Sequence, residues 1–285
     1  MLEKIKNKIE SKRGSKKIFW KISLTIKDIV WIIKQTFIEY KEKAIFNLFG
    51  KNLIKELTPY EANNFNTFIR LGNKKDGGYV LPKEILKEID TAYTYGVGDN
   101  ISFERDLGKK INIPIRLYDH TIEKLPAENK NFLFKREGIG NKKEPGLDTF
   151  ENHLKANKDL NKKILLKIDI EGNEWKVLPE IIDKFSNMIS AIILEVHYLG
   201  NTKNLFKNIK ILDKLNSKFT LVHIHGNNCG ETIKIADKII PTICEMTLVN
   251  NNLINKRKIL SKKLPTIFDY PNCPNKKDLN LNFWK

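Results

Sequence analysis

From Ile22 onward, apolar residues recur every three or four positions, at Ile22, Ile26, Ile29, Ile33, Phe37 and Tyr40, with Lys27, Lys34 and Lys41 between them. That spacing predicts a basic amphipathic helix, because residues three, four and seven apart share one helical face. After Pro59 the pattern becomes short apolar runs separated by polar segments of helix length, the alternation of a parallel sheet with crossover helices. Strands are expected over 91–96, 115–118, 132–137, 164–170, 191–197, 220–225 and 242–249. Together with the intervening helices they make one doubly wound α/β sheet. One boundary is expected near residue 60, separating an N-terminal basic helical segment (1–60) from an α/β domain (61–285).

Charge changes this picture less than its size suggests. The net charge is +17, which attracts polyanions. The excess is nevertheless spread through stretches such as NKKILLKI and NNNLINKRKIL, and no basic stripe interleaved with aromatics appears, so nucleic acid is a disfavoured partner. The N-terminal stripe has two uses: packing on the α/β domain, or peripheral contact with an anionic membrane through residues 1–50. Lys21, Lys27, Asp28 and Lys34 interrupt the apolar run, which argues against a signal peptide or a membrane span. Cys229, Cys244 and Cys273 form no CxxC pair, so neither a zinc ribbon nor a disulfide framework is expected, and a reducing, cytoplasmic location fits.

In an open α/β sheet, ligands sit beyond the carboxyl ends of the strands, where loops and helix N-termini converge. The first expected strand runs into TYGVGDN, where Gly96 and Gly98 let backbone approach a ligand and Asp99 or Asn100 can cap the next helix. Asp119 follows the second strand and suits two ribose hydroxyls. No third glycine completes GxGxxG, which favours a cofactor without a pyrophosphate. The fourth strand delivers Asp169, Glu171 and Gly172, the fifth carries Glu195 and His197 on one face, and the sixth carries His223 and His225 on one face. With His120, four of the five histidines fall at expected strand ends. His197 is the first choice of general base and His225 the second, since an ordinary imidazole titrates near neutrality. A divalent cation held by Asp169, Glu195 and a histidine is a less favoured use of the same groups, because no pair here fixes a full ligand set.

At this point the run LLKIDIEGNEWKVLPEI resembles the signature of the FkbM-type methyltransferases, whose fourth strand ends in K-I-D-(V/I)-E-G-x-E. The resemblance covers roughly residues 68–249, through IRLGNKKDGGYVL, TYGVGDNISFERDL, LYDHTI, GLDTF, ILEVH and HIHGNN in order. It implies a Rossmann-like class I methyltransferase fold, a seven-stranded, mostly parallel sheet with helices on both faces. It also implies S-adenosylmethionine as donor and a hydroxyl of a glycan or small molecule as acceptor. By motif matching, Gly96, Gly98 and Asp119, with Asn100 on the same loop, would line the donor, and Asp169 and Glu171 would lie near the transferred methyl. The family pattern D-x-G-A-N-x-G is not reproduced, Tyr95 standing where an acidic residue is usual. Asp76, Gly77 and Gly78 form a further turn that would serve as a lid. A nucleotide-dependent oxidoreductase is disfavoured by the missing glycine and the lack of a Tyr-x-x-x-Lys pair, and an RNA-binding protein on the same scaffold is favoured by charge alone.

Overall fold

The computed structural model describes residues 26–285. Residues 26–44 belong to one compact unit and Ile45–Lys285 to a second. Helix α1 (Ile26–Glu56) crosses that division. In the first unit Ile33, Phe37 and Tyr40 are 63%, 67% and 75% exposed. At 100° per residue, Ile33, Phe37 and Tyr40 fall within about 60° of one another, and Ile38 lies beyond Lys34 and Lys41. Ile22 and the side chains of Ile26 and Ile29 lie outside the described residues. Among the described residues, no helix is long and apolar enough to cross a membrane.

All seven expected strands form, each within two residues of its expected ends: β1 (Thr91–Tyr95), β2 (Ile115–Tyr118), β3 (Phe132–Lys135), β4 (Ile164–Ile168), β5 (Ile189–Val196), β6 (Phe219–Gly226) and β7 (Cys244–Asn250). They make one sheet in the order 3-2-1-4-5-7-6. Pairings among β1 to β5 are parallel, whereas β7 runs antiparallel to both β5 and β6. β1, β4, β5, β6 and β7 are buried along their whole length, as sheets covered on both faces require.

The two faces are covered differently. One buries Ile164, Leu166 and Ile168 of β4 against α3 (Phe150–Asn157), α4 (Glu174–Phe185), α5 (Leu205–Lys218) and, from the end of α1 and just past it, Leu53 and Leu57. The other buries Leu165 and Ile193 against α2 (Ser102–Lys110), the 3-10 turn Lys83–Lys87 and a β-hairpin made by Phe68–Gly72 and Gly78–Pro82. No helix joins β2 to β3. Helices thus lie on both faces as expected, but on one of them a hairpin does much of the covering. Cys229 and Cys273 are joined by a disulfide. This corrects the expectation of unpaired cysteines, and with it the cysteine argument for a reducing compartment. The partners are 44 residues apart, a separation that leaves no local spacing signal.

Candidate functional site

A cavity of about 700 Å³ opens at the carboxyl ends of β1, β2 and β4, where the strand order reverses across β1 and β4. That is where an open α/β sheet leaves a crevice. Among the residues singled out for chemistry, Gly96, Gly98, Asn100, Asp119, His120, Asp169 and Glu171 line it. Gly96 has φ +74°, and a Cβ there would stand 1.5 Å from the Asp169 carbonyl oxygen, so the β1 and β4 exits approach as closely as backbone allows. Gly98 has φ +55° with open space around it, and its N–H donates to Asp119 Oδ2 at 2.8 Å. Asp119 Oδ1 accepts the N–H and hydroxyl of Thr121 at 2.7 and 2.6 Å. Burial pushes the Asp119 carboxyl up, but these donors outweigh it and hold the group below its ordinary range, so it is an anion. No helix follows Asp119, so it caps the loops beside it, accepting from Gly98 and from both donors of Thr121.

Asn100 Oδ1 accepts the Ser102 N–H at 3.2 Å, satisfying one amide at the start of α2. Its amide also donates to the Asp76 carbonyl at 3.1 Å, and the Ser102 hydroxyl donates to the Gly77 carbonyl at 3.2 Å. The hairpin turn is therefore tied down over the N-terminus of α2, with Asp76 and Gly77 in the cavity wall. Tyr95 points away from the cavity: it is fully buried, and its hydroxyl donates to His153 Nδ1 at 2.9 Å while Nε2 of that ring donates to Glu137.

The exit of β4 carries the richest chemistry. Glu171 at φ +55° and Gly172 at φ +98° turn the chain left-handed, an unusual conformation for a glutamate. Glu174 holds this loop: one carboxylate oxygen accepts the N–H groups of Ile170 and Gly172, both at 3.1 Å, and that of His197 Nδ1 at 3.0 Å. Trp175 donates its indole N–H to the His197 carbonyl at 2.8 Å. The other ring nitrogen of His197 faces Glu171 at 3.3 Å and Glu195 at 3.8 Å. Burial lowers the His197 pKa, but Glu174, Glu195 and Asp169 raise it more, to about 9. His197 therefore keeps its proton at neutral pH, and the first-choice base is a cation. Burial instead lifts the Asp169 carboxyl to about 6, against Lys167 and His197, and the Tyr79 hydroxyl donates to it at 3.2 Å. Among the cavity residues, Asp169 is the group poised to take a proton.

Glu195, His223 and His225 lie beyond the cavity, in the β5–β7 half of the sheet edge. Glu195 is buried, accepts from the Asn227 amide at 2.9 Å, and burial, with Asp169 and Glu245 nearby, raises its carboxyl well above the ordinary range. His225 is not in the cavity wall: its ring bridges Glu245 at 3.0 Å and Asp278 at 3.1 Å, leaving no nitrogen free. Burial lowers its pKa, but the two carboxylates raise it to about 10, so it too is a cation rather than a base. His223 meets Asp269 at 2.8 Å. His120 does line the cavity.

Several residues of this region went unnoticed as sequence. Lys167 is buried in β4 with its ammonium 3.5 Å from Glu104, and it lines the cavity. The K of the K-I-D-I-E-G run was its signal, obscured because a lysine among apolar residues reads as a surface position. The second glutamate of the same run is Glu174, whose anchoring role a quoted motif does not reveal. Asp269, Asn272 and Asp278 come from the C-terminal segment, and no periodicity marks them. No protein-family model matches the chain, and no curated protein is significantly similar to it.

Proposed function

We propose that this chain is an S-adenosylmethionine-dependent O-methyltransferase acting on a hydroxyl of a glycan or small molecule. The observation that carries the reading is the charge of the cavity. Its wall holds six carboxylates, Asp76, Asp99, Asp119, Glu144, Asp169 and Glu171, against three lysines, in a chain whose net charge is +17. A polyanion or a pyrophosphate is repelled there, whereas a sulfonium cation on a ribose is attracted. The start of α2, where a dinucleotide phosphate would sit, carries Glu104 in its first turn and is crossed by the hairpin turn.

Each part of such a donor has a counterpart. The Asp119 anion faces the position of a ribose diol, beside backbone that Gly96 and Gly98 bring close. Lys167, the buried one of the three lining lysines, suits the amino-acid carboxylate. The strand order, with one reversed strand between the fifth and sixth, supports the class I methyltransferase fold that the motif resemblance implies. The acceptor class rests on that resemblance.

In the reaction, the acceptor oxygen attacks the sulfonium methyl carbon in line with the carbon–sulfur bond. That bond breaks, S-adenosylhomocysteine leaves, and the hydroxyl proton passes to Asp169. Glu171, exposed at the mouth, and the His197 cation behind it orient the acceptor. Calorimetric titration of the full chain with S-adenosylmethionine and, separately, NAD tests the reading. Saturable binding of the first alone is the expected result, followed by a mass gain of about 14 units, one CH₂, on an accepted hydroxyl compound. Binding of NAD alone, or of neither, would overturn it.

A further inference from the structure

Four exposed apolar side chains, Val30, Ile33, Phe37 and Tyr40, share one face in the N-terminal part of α1. At 100° per residue they span about 80°, over roughly 15 Å of helix at 1.5 Å per residue. Trp31 and Ile38, less exposed, lie about 120° to 140° from the centre of that face. Large apolar side chains gathered on an exposed helical face mark a surface that something covers.

The charges around the face define the partner. Measured from the same centre, Lys41, Lys34 and Lys43 fall at about 60°, 80° and 100°, on both flanks, whereas Asp28, Glu39 and Glu42 fall about 140° to 160° away, on the opposite side. Cations thus border the apolar face and anions are turned from it. The 25 residues that precede α1 in the sequence add eight Lys or Arg against two Glu. A second copy of the helix is a poor match. Val30, Ile33, Phe37 and Tyr40 have the spacing of a coiled-coil seam, but the flanking positions hold Lys34, Thr36, Lys41 and Lys43, so two copies would align cations with no acid to answer them. Hydrocarbon beneath anionic headgroups suits the face better, because a lysine can lay its stem along apolar surface while its ammonium reaches a phosphate.

We propose that this face of α1 lies on the surface of a bilayer that carries anionic phospholipids, with Ile33, Phe37 and Tyr40 seated at the acyl boundary and Lys34, Lys41 and Lys43 against headgroup phosphates. A helix lying in the interface needs one apolar face rather than an apolar circumference, which agrees with α1 being too polar to cross a membrane. The face includes no residue assigned to the methyl donor or its acceptor, so its docking is separate from that reading.

The test is co-flotation of the full chain with vesicles of phosphatidylcholine alone or with about 30% phosphatidylglycerol, at ~0.1 M salt. Binding to the mixed vesicles at least about tenfold tighter than to the neutral ones is expected, and it weakens as salt is raised. Ile33→Ser together with Phe37→Ser weakens it at least about tenfold, and Lys34→Gln together with Lys41→Gln at least about fivefold. Ile267→Ser, at an exposed apolar residue of the α/β unit, leaves it unchanged. Circular dichroism establishes that each variant is folded. The proposal is overturned if the folded chain does not float with the mixed vesicles, if it floats equally with both kinds, or if either pair of substitutions leaves binding unchanged, as attachment through the preceding basic residues alone would. It is overturned equally if light scattering shows a dimer that Ile33→Ser with Phe37→Ser dissolves.

Discussion

The two halves of the sheet's carboxyl edge are built on different principles. At β1, β2 and β4 the chain is brought close by glycines, and charge is stabilised by neighbours in sequence: Asp119 by Thr121, and Glu174 by the N–H groups of Ile170 and Gly172. An open cavity results. At β5, β6 and β7 the ionisable groups are stabilised across long distances, His223 by Asp269, His225 by Asp278 and Glu245 by Asn272, and the groups fill the space between them. The first half therefore leaves room for a ligand. In the second, charge is spent on holding the hairpin and the C-terminal segment in place.

Substitutions that act on one half and spare the other separate these roles. The largest effect belongs to Gly96→Val, because the new Cβ meets the Asp169 carbonyl oxygen at 1.5 Å. Urea unfolding is expected to show a loss of more than about 4 kcal/mol, or no folded protein. Gly98→Ala, with no atom within 4 Å of its Cβ, bears the strain of φ +55° alone and loses about 1 kcal/mol.

In the other half, replacing Cys229 and Cys273 by serine opens a link between residues 44 apart and lowers stability by about 3 kcal/mol. Donor affinity should not change. A thiol titration of the denatured, unreduced wild type is expected to count one free cysteine, Cys244.

Acid provides the next effect. Burial raises the Asp269 carboxyl, but the His223 beside it and the Thr266 N–H outweigh that and hold it at about 2, below its unfolded value of 3.8. The folded state thus favours the anion. Its stabilisation is present above pH 3.8 and is lost as pH falls toward 2. At ~1.4 kcal/mol per unit it amounts to about 2 kcal/mol, and Asp269→Asn removes that part of the slope in denaturation midpoints taken between pH 6 and pH 2.

The last effect is the most local. Asp119→Asn keeps a side-chain oxygen for Gly98 but loses the charge facing the cavity, so donor affinity falls about tenfold, or ~1.4 kcal/mol, by calorimetry. An unchanged affinity would remove Asp119 from the donor site.

This division also explains what could be read in advance. The strands were legible because each is a short apolar run, and the glycines and Asp119 because strand ends collect ligands. The run from Lys167 to Trp175 was visible as a motif, but the tie from Glu174 to His197 joins α4 to the end of β5 and has no spacing signal. Reading His197 and His225 as bases assumed ordinary imidazoles, and only the fold reveals the carboxylates that hold their protons. The disulfide and the partners from residues 269–278 were hidden for the same reason: they are contacts across tens of residues with no period.

The claim that the β1–β2–β4 cavity receives the methyl donor is tested most directly by amide hydrogen exchange of the full chain with and without S-adenosylhomocysteine. The account predicts slowed exchange at Gly96–Asn100 and around Thr121, with the 226–230 and 269–278 segments unchanged. Protection confined to those two segments, or none at a saturating concentration, would contradict it.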